Sequence, residues 1–218
     1  MADERIIYEL RYRRGREARF MSHLDTLRML SRALRRSALP IYFTEGFNPK
    51  PKISYVTPPL AVGHTSECER IRFMLMEDIS AEEVFDRIAP QFPQGLTATG
   101  LARIGHAGET AGEEKISSAP IEYFIFFRKD TPPSPAETLE ALAAAPGITA
   151  RALAAEDIGG ALLCSDTGDP AAFAGEHFSG GVSVVIPGGA AYKRPEKIIV
   201  GFIPLDPLSL FCHRKREA

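Results

Sequence analysis

Cysteine is scarce in this chain of 218 residues: Cys68, Cys164 and Cys212 stand far apart, and no C-x-x-C pair occurs. A dispersed, odd-numbered set suits a reducing compartment better than a disulfide framework. It also leaves no cysteine ligand set for an iron–sulfur cluster or a cysteine-rich zinc site. No segment approaches the roughly eighteen apolar residues of a membrane span. The opening Met1-Ala2-Asp3-Glu4-Arg5 has no basic stretch leading into an apolar one, so no signal peptide is expected and a cytoplasmic location is.

Enzyme signatures are missing too. There is no G-x-x-x-x-G-K-[ST] phosphate loop, no G-x-G-x-x-G fingerprint, no H-E-x-x-H pair and no G-x-S-x-G elbow. The five histidines are scattered without metal-ligand spacing, so neither a metal nor a cofactor is expected. Ser22, His23 and Asp25 resemble a catalytic trio only on paper, because neighbours at a helix start do not converge as nucleophile, base and orienting acid.

What is present is charge asymmetry. Residues 1–60 carry a balance of +6 and residues 61–218 a balance of −8, which together give the net −2. Such polarity points the first quarter of the chain at an anionic partner.

The pattern along the chain predicts an α+β protein. Residues 5–12 read as a strand, and Ser22 with Asp25 reads as a helix cap. The helix that follows has Leu24, Leu27, Leu30, Leu34 and Ala38 on its core side and stops by Leu39, ahead of Pro40. Short extended segments are expected at 41–43 and 53–56, a better strand at 70–76, a helix capped by Ser80, and a strand over 96–104. That order is the split βαβ arrangement of ferredoxin-like domains. Residues 105–118 read as a linker. A second, smaller or degenerate α+β domain follows over 119–218, with strands at 121–128, 148–153, 182–186 and 198–203, a helix over 134–145 and a long loop at 166–181.

The candidate binding residues sit in the basic part. Arg28, Arg32, Arg35 and Arg36 crowd one helix with Lys50 and Lys52 nearby, an arrangement that repels itself unless an anion binds. Arginine forks suit phosphates and stacking on bases. Gly46, Phe47, Asn48, Pro49 and Pro51 form a stiff loop that holds Lys50 and Lys52 outward, and Phe47 or Tyr42 offers a stacking surface. The capped helix and this loop are expected to meet, placing Arg32, Arg36, Lys50 and Lys52 around one anion-binding surface. His23, beside the cap, is a candidate base or backbone contact, as is Asn48. Glu67 and Glu69 read as solvated, or as partners of Arg70 and Arg72.

Several fixed spacings carry a resemblance: Phe20-x-Ser22-His23-Leu24-Asp25-x-x-Arg28, Arg32-Ala33-Leu34-Arg35-Arg36, Leu39-Pro40, Gly46-Phe47-Asn48-Pro49-x-Pro51-Lys52, Pro59-Leu60 and Gly63-x-x-Ser66-x-x-Glu69. Dense over residues 5–104, they resemble the uncharacterised radical-SAM-linked domain family, whose members occur alone or fused behind cobalamin-binding radical SAM proteins. Thr44 stands where serine is common and Lys50 where histidine is common, so no histidine role carries over at position 50. The chain lacks the C-x-x-x-C-x-x-C triplet of a radical SAM enzyme, and the resemblance therefore implies the accessory half.

The expectation is an RNA-binding accessory domain that works with a radical SAM enzyme in tRNA or rRNA modification, with no activity of its own. One alternative is a metal-independent RNA endonuclease or transferase using His23. The other is a protein-interaction module that docks the radical SAM partner without nucleic acid.

Overall fold

The computed structural model describes residues 5–57, 59–108, 120–128, 134–143, 147–153, 178–186 and 210–217. The linker beyond 108, Cys164, the strand expected at 198–203 and most of the loop expected at 166–181 lie outside them. The protein is α+β and divides into two compact units, one of Met1–Val62 with Cys68–Ser117, the other of Gly63–Glu67 with Ser118–Ala218. Among the described residues no helix is long and apolar enough to cross a membrane.

In the first unit, β1 (Ile6–Arg14) turns Ile6, Tyr8, Leu10 and Tyr12 to one buried face by strand alternation. The helix α1 (His23–Arg36) lays Thr26, Leu30, Ala33 and Leu34 on that core. This spacing of four, three and one is a single helical stripe. Leu24 was expected in the core and is instead 61% exposed, because it stands roughly 200° around the helix from Thr26. Ala38 is exposed as well. It lies past the end of α1 with φ 53°, a left-handed exit that turns the chain toward Pro40.

The segment expected as a strand at 41–43 makes only two single bridges, Ile41 to Leu75 and Phe43 to Pro51. Next come β2 (Ile53–Tyr55), β3 (Thr65–Leu75), α2 (Ala81–Ile88) and β4 (Leu96–His106). Ser80 caps α2 by accepting the Glu83 N–H at 3.2 Å, and Val84 and Ile88 are its buried residues. A 3-10 turn, Ala89–Gln91, absorbs Pro90. β4 runs to His106, two residues into the stretch read as linker. The strands lie in the order β4-β1-β3, with β2 on the far side of β3, and β1–β4 and β2–β3 are antiparallel.

The second unit holds β5 (Ile121–Arg128), α3 (Pro135–Ala143), β6 (Thr149–Ala152), β7 (Phe178–Ile186) and β8 (Leu210–Glu217) in the strand order β8-β5-β7-β6. Its core gathers Ile121, Tyr123, Ile125, Phe127, Leu142, Val182 and Val184. The buried Arg214 donates to the Tyr123 hydroxyl from Nε at 3.1 Å and from Nη2 at 2.9 Å. β7 begins earlier than the strand expected at 182, and β8 was not expected at all.

Candidate nucleic-acid interface

The region around α1 is organised from a buried cation. Arg14, at the end of β1, is 2% exposed. Its Nε donates to the Ala18 carbonyl at 2.9 Å, and its Nη2 donates to the carbonyls of Arg19 at 2.7 Å and Met21 at 2.6 Å. Three carbonyls aimed at one guanidinium set the path of the turn, which delivers Ser22 in an extended conformation, φ −69° and ψ 163°, ahead of the helix. Ser22 Oγ accepts the Asp25 N–H at 3.1 Å and donates to Asp25 Oδ2 at 2.7 Å. That hydroxyl, and then Arg28, hold the Asp25 carboxyl below its usual range.

His23 is the first residue of α1. Its ring lies 4.5 Å from the ring of Tyr55, tilted by 48°, at a recess lined by Tyr12, Arg14, His23, Thr26, Tyr55 and Glu69 among others. Burial lowers the imidazole pKa; the Glu69 charge opposes that shift and Arg14 adds to it. Burial, followed by the Glu69 charge, raises the Tyr55 phenol. The Tyr55 hydroxyl is buried and has no hydrogen-bond partner among the described residues, an arrangement that costs about 1–3 kcal/mol.

Glu69 corrects the sequence reading. It is buried and accepts from Thr57 Oγ1 at 3.3 Å. Arg70 and Arg72 bind Glu9 of β1, Arg70 Nη1 at 3.1 Å and Arg72 Nη2 at 2.9 Å. Strand alternation is the reason: Glu69 shares a face with the buried Ile71 and Phe73, while residues 70 and 72 take the opposite face.

The loop after Phe43 is closed by backbone and threonine. Thr44 N–H donates to the Lys50 carbonyl at 2.8 Å, Lys50 N–H to Thr44 Oγ1 at 3.1 Å, and Lys52 N–H to the Tyr42 carbonyl at 3.1 Å. Gly46, at φ +125°, allows the turn inside it. The helix does meet this loop, and Arg35 makes the contact. Its Nη2 donates to the Pro49 carbonyl at 2.7 Å, and its guanidinium lies 5.2 Å from the centroid of the Phe43 ring.

The other arginines separate. Arg28 pairs with Asp25 at 2.9 Å. Arg36 reaches away from the loop to Gln91, donating to its carbonyl at 2.6 Å and its side-chain oxygen at 3.3 Å. The expected cluster of Arg32, Arg36, Lys50 and Lys52 therefore loses Arg36, whose place in the last turn of α1 faces the end of α2. Arg32, Asn48, Lys50 and Lys52 are exposed, and Phe47 is fully exposed. Tyr42, the other aromatic considered for stacking, is half-buried, with Arg5 4.3 Å from its ring centroid.

A family model described as "Uncharacterized protein conserved in bacteria (DUF2344)" matches residues 8–154, more than half of the chain. The chain belongs to this family. The span matched in this DUF2344 member takes in the Arg14 clamp, all of α1, the Thr44–Lys50 loop and Glu69. No curated protein matches the chain.

The sequence singled out His23, Arg35 and the loop as candidates, but not the residues that surround His23. Glu69 had a usable signal, its parity with Ile71, Phe73 and Leu75. Arg14 had the same kind of signal, its parity with Ile6, Tyr8, Leu10 and Tyr12, although as the third arginine in the run Arg11 to Arg14 it looks like surface. Among the described residues no group of three or more His, Cys, Asp or Glu is placed to hold a metal ion.

Proposed function

We propose that this chain is an RNA-binding accessory protein, working with a radical SAM enzyme in the modification of tRNA or rRNA. The observation that supports the RNA reading is the state of Arg32, Lys50 and Lys52. All three are exposed, and their side chains make no ion pair or hydrogen bond among the described residues. Cations left without acids repel one another in the free protein, and a polyanion relieves that repulsion while releasing its own counterions. The neighbouring Arg35 is tied to the Pro49 carbonyl and keeps its charge there, which adds to the field without using up an acid. The enzyme partner rests on the motif resemblance.

Gel shifts with total cellular RNA at low salt test this reading. Binding is expected to weaken steeply with added salt, log K falling by about 0.7 per neutralised phosphate on a single strand for each unit of log salt. Replacing Arg32, Lys50 and Lys52 together by Ala flattens that slope. No shift with any RNA at low salt would refute the proposal.

A further inference from the structure

Among the described residues Phe47 is the most exposed large apolar side chain, with a relative exposure of 112%. An aromatic ring held wholly in water is unfavourable by itself, and this one stands on a loop braced in four places. The Thr44–Lys50 and Lys52–Tyr42 backbone bonds, which make the Phe43–Pro51 bridge, and the Thr44 hydroxyl on Lys50 N–H close the loop, and Arg35 ties its Pro49 carbonyl to α1. Pro49 and Pro51 remove further freedom from the backbone of their preceding residues. Phe47 thus belongs to a braced presentation rather than to a loosely packed side chain, and the entropy of ordering its backbone is already spent before any partner arrives.

We infer that Phe47 is a stacking platform for an unpaired nucleobase, so that the RNA class this protein takes is single-stranded or carries a loop, bulge or free end. The inference rests on the RNA-binding reading above and narrows it. Its chemistry is that of single-strand recognition, in which a ring stacks on a base face while nearby cations track the backbone. Lys50 and Lys52 stand three and five residues from Phe47 in the same braced segment, and no carboxylate other than Glu45 lies between Thr44 and Lys52. A duplex offers this ring nothing, since its base faces are already stacked. An A-form helix presents phosphates and 2′-hydroxyls to its binders, and the lysines alone would serve for those.

The absence of tryptophan from the chain supplies the experiment. A Phe47→Trp variant carries the single indole, whose emission is quenched when it stacks on a base. The probes are oligouridylate and oligoadenylate of about a dozen nucleotides, within the usual footprint of single-strand binders, and the duplex the two form together. The expected result is quenching by either single strand and none by the duplex. Phe47→Ala is expected to weaken single-strand binding roughly tenfold, as loss of one stacked base does, with duplex binding unchanged. Phe47 packs against nothing that its removal would collapse, so thermal unfolding of both variants should match the parent.

Equal affinity for single strand and duplex, with no quenching and no effect of Phe47→Ala, would overturn the inference while leaving the RNA reading intact. Absence of binding to all three probes and to total RNA would overturn both. An emission that shifts to the blue on phosphatidylserine vesicles, and stays unchanged with the oligonucleotides, would assign the loop to a membrane surface and likewise overturn it.

Discussion

Replacing Arg14 by Met tests whether the turn before α1 is held by its buried guanidinium. The substitution keeps an unbranched side chain in the same space and removes all three donors to Ala18, Arg19 and Met21. A hydrogen bond from a charged group contributes about 1.5–3 kcal/mol, so three set a ceiling of roughly 5–9 kcal/mol. Two effects reduce that figure: wild-type Arg14 bears a desolvation cost of several kcal/mol, and the partly buried carbonyls regain some water in the variant. A net loss of about 3 kcal/mol follows, at the lower edge of what removing one partner of a buried charged contact costs. For a unit of about 110 residues it lowers the unfolding midpoint by roughly 10–20 °C. Arg14→Lys, with one compact head in place of a fork, should fall between the two. The assay is thermal unfolding by circular dichroism, combined with NMR of the His23 ring, whose position over Tyr55 depends on the turn that Arg14 holds. An Arg14→Met protein that unfolds within about a degree of the parent, with unmoved His23 signals, would refute the clamp.

Two further outcomes are checkable in the same region. His23 should titrate below the ordinary imidazole value of 6.5, and Glu69→Gln should lower it further, since the Glu69 charge is the influence opposing burial; a rise in that variant by NMR titration would contradict the assigned causes. With a depressed folded pKa, the folded state takes up this proton less readily than the unfolded chain. The stability linked to His23 is therefore complete above pH 6.5 and declines as pH falls from there toward the folded value, a decline that should disappear from the pH profile of a His23→Gln variant. Gly95 has φ +83°, and an added Cβ would lie 2.7 Å from the Ala18 nitrogen. Gly95→Ala should cost about 1–3 kcal/mol in urea unfolding, and an unchanged midpoint would show that the 15–18 turn yields easily.

Much of this region is readable from local chemistry. The Ser22 cap, the end of α1 before Pro40, the Ser80 cap and the alternating strands each depend on residues a few positions apart, and the protein uses them as read. The α+β class follows from that sum. Where reading failed, a partner from distant sequence decided the matter. Leu24 lost its place in the core to Thr26, because the sheet beneath α1 selects one stripe of the helix. Arg36 went to Gln91, 55 positions away.

By itself, then, the sequence determined the caps, the stiff loop and a helix crowded with arginine, since propensity, proline geometry and charge act over a turn or a strand. Only the tertiary structure decided which cations keep a partner. It assigned Arg70 and Arg72 to Glu9 and Arg35 to the Pro49 carbonyl, left Arg32, Lys50 and Lys52 exposed, and brought Glu69 and Tyr55 to His23. Charges and buried polar groups answer to whatever lies within a few ångströms, and that neighbourhood exists only once the sheet has paired.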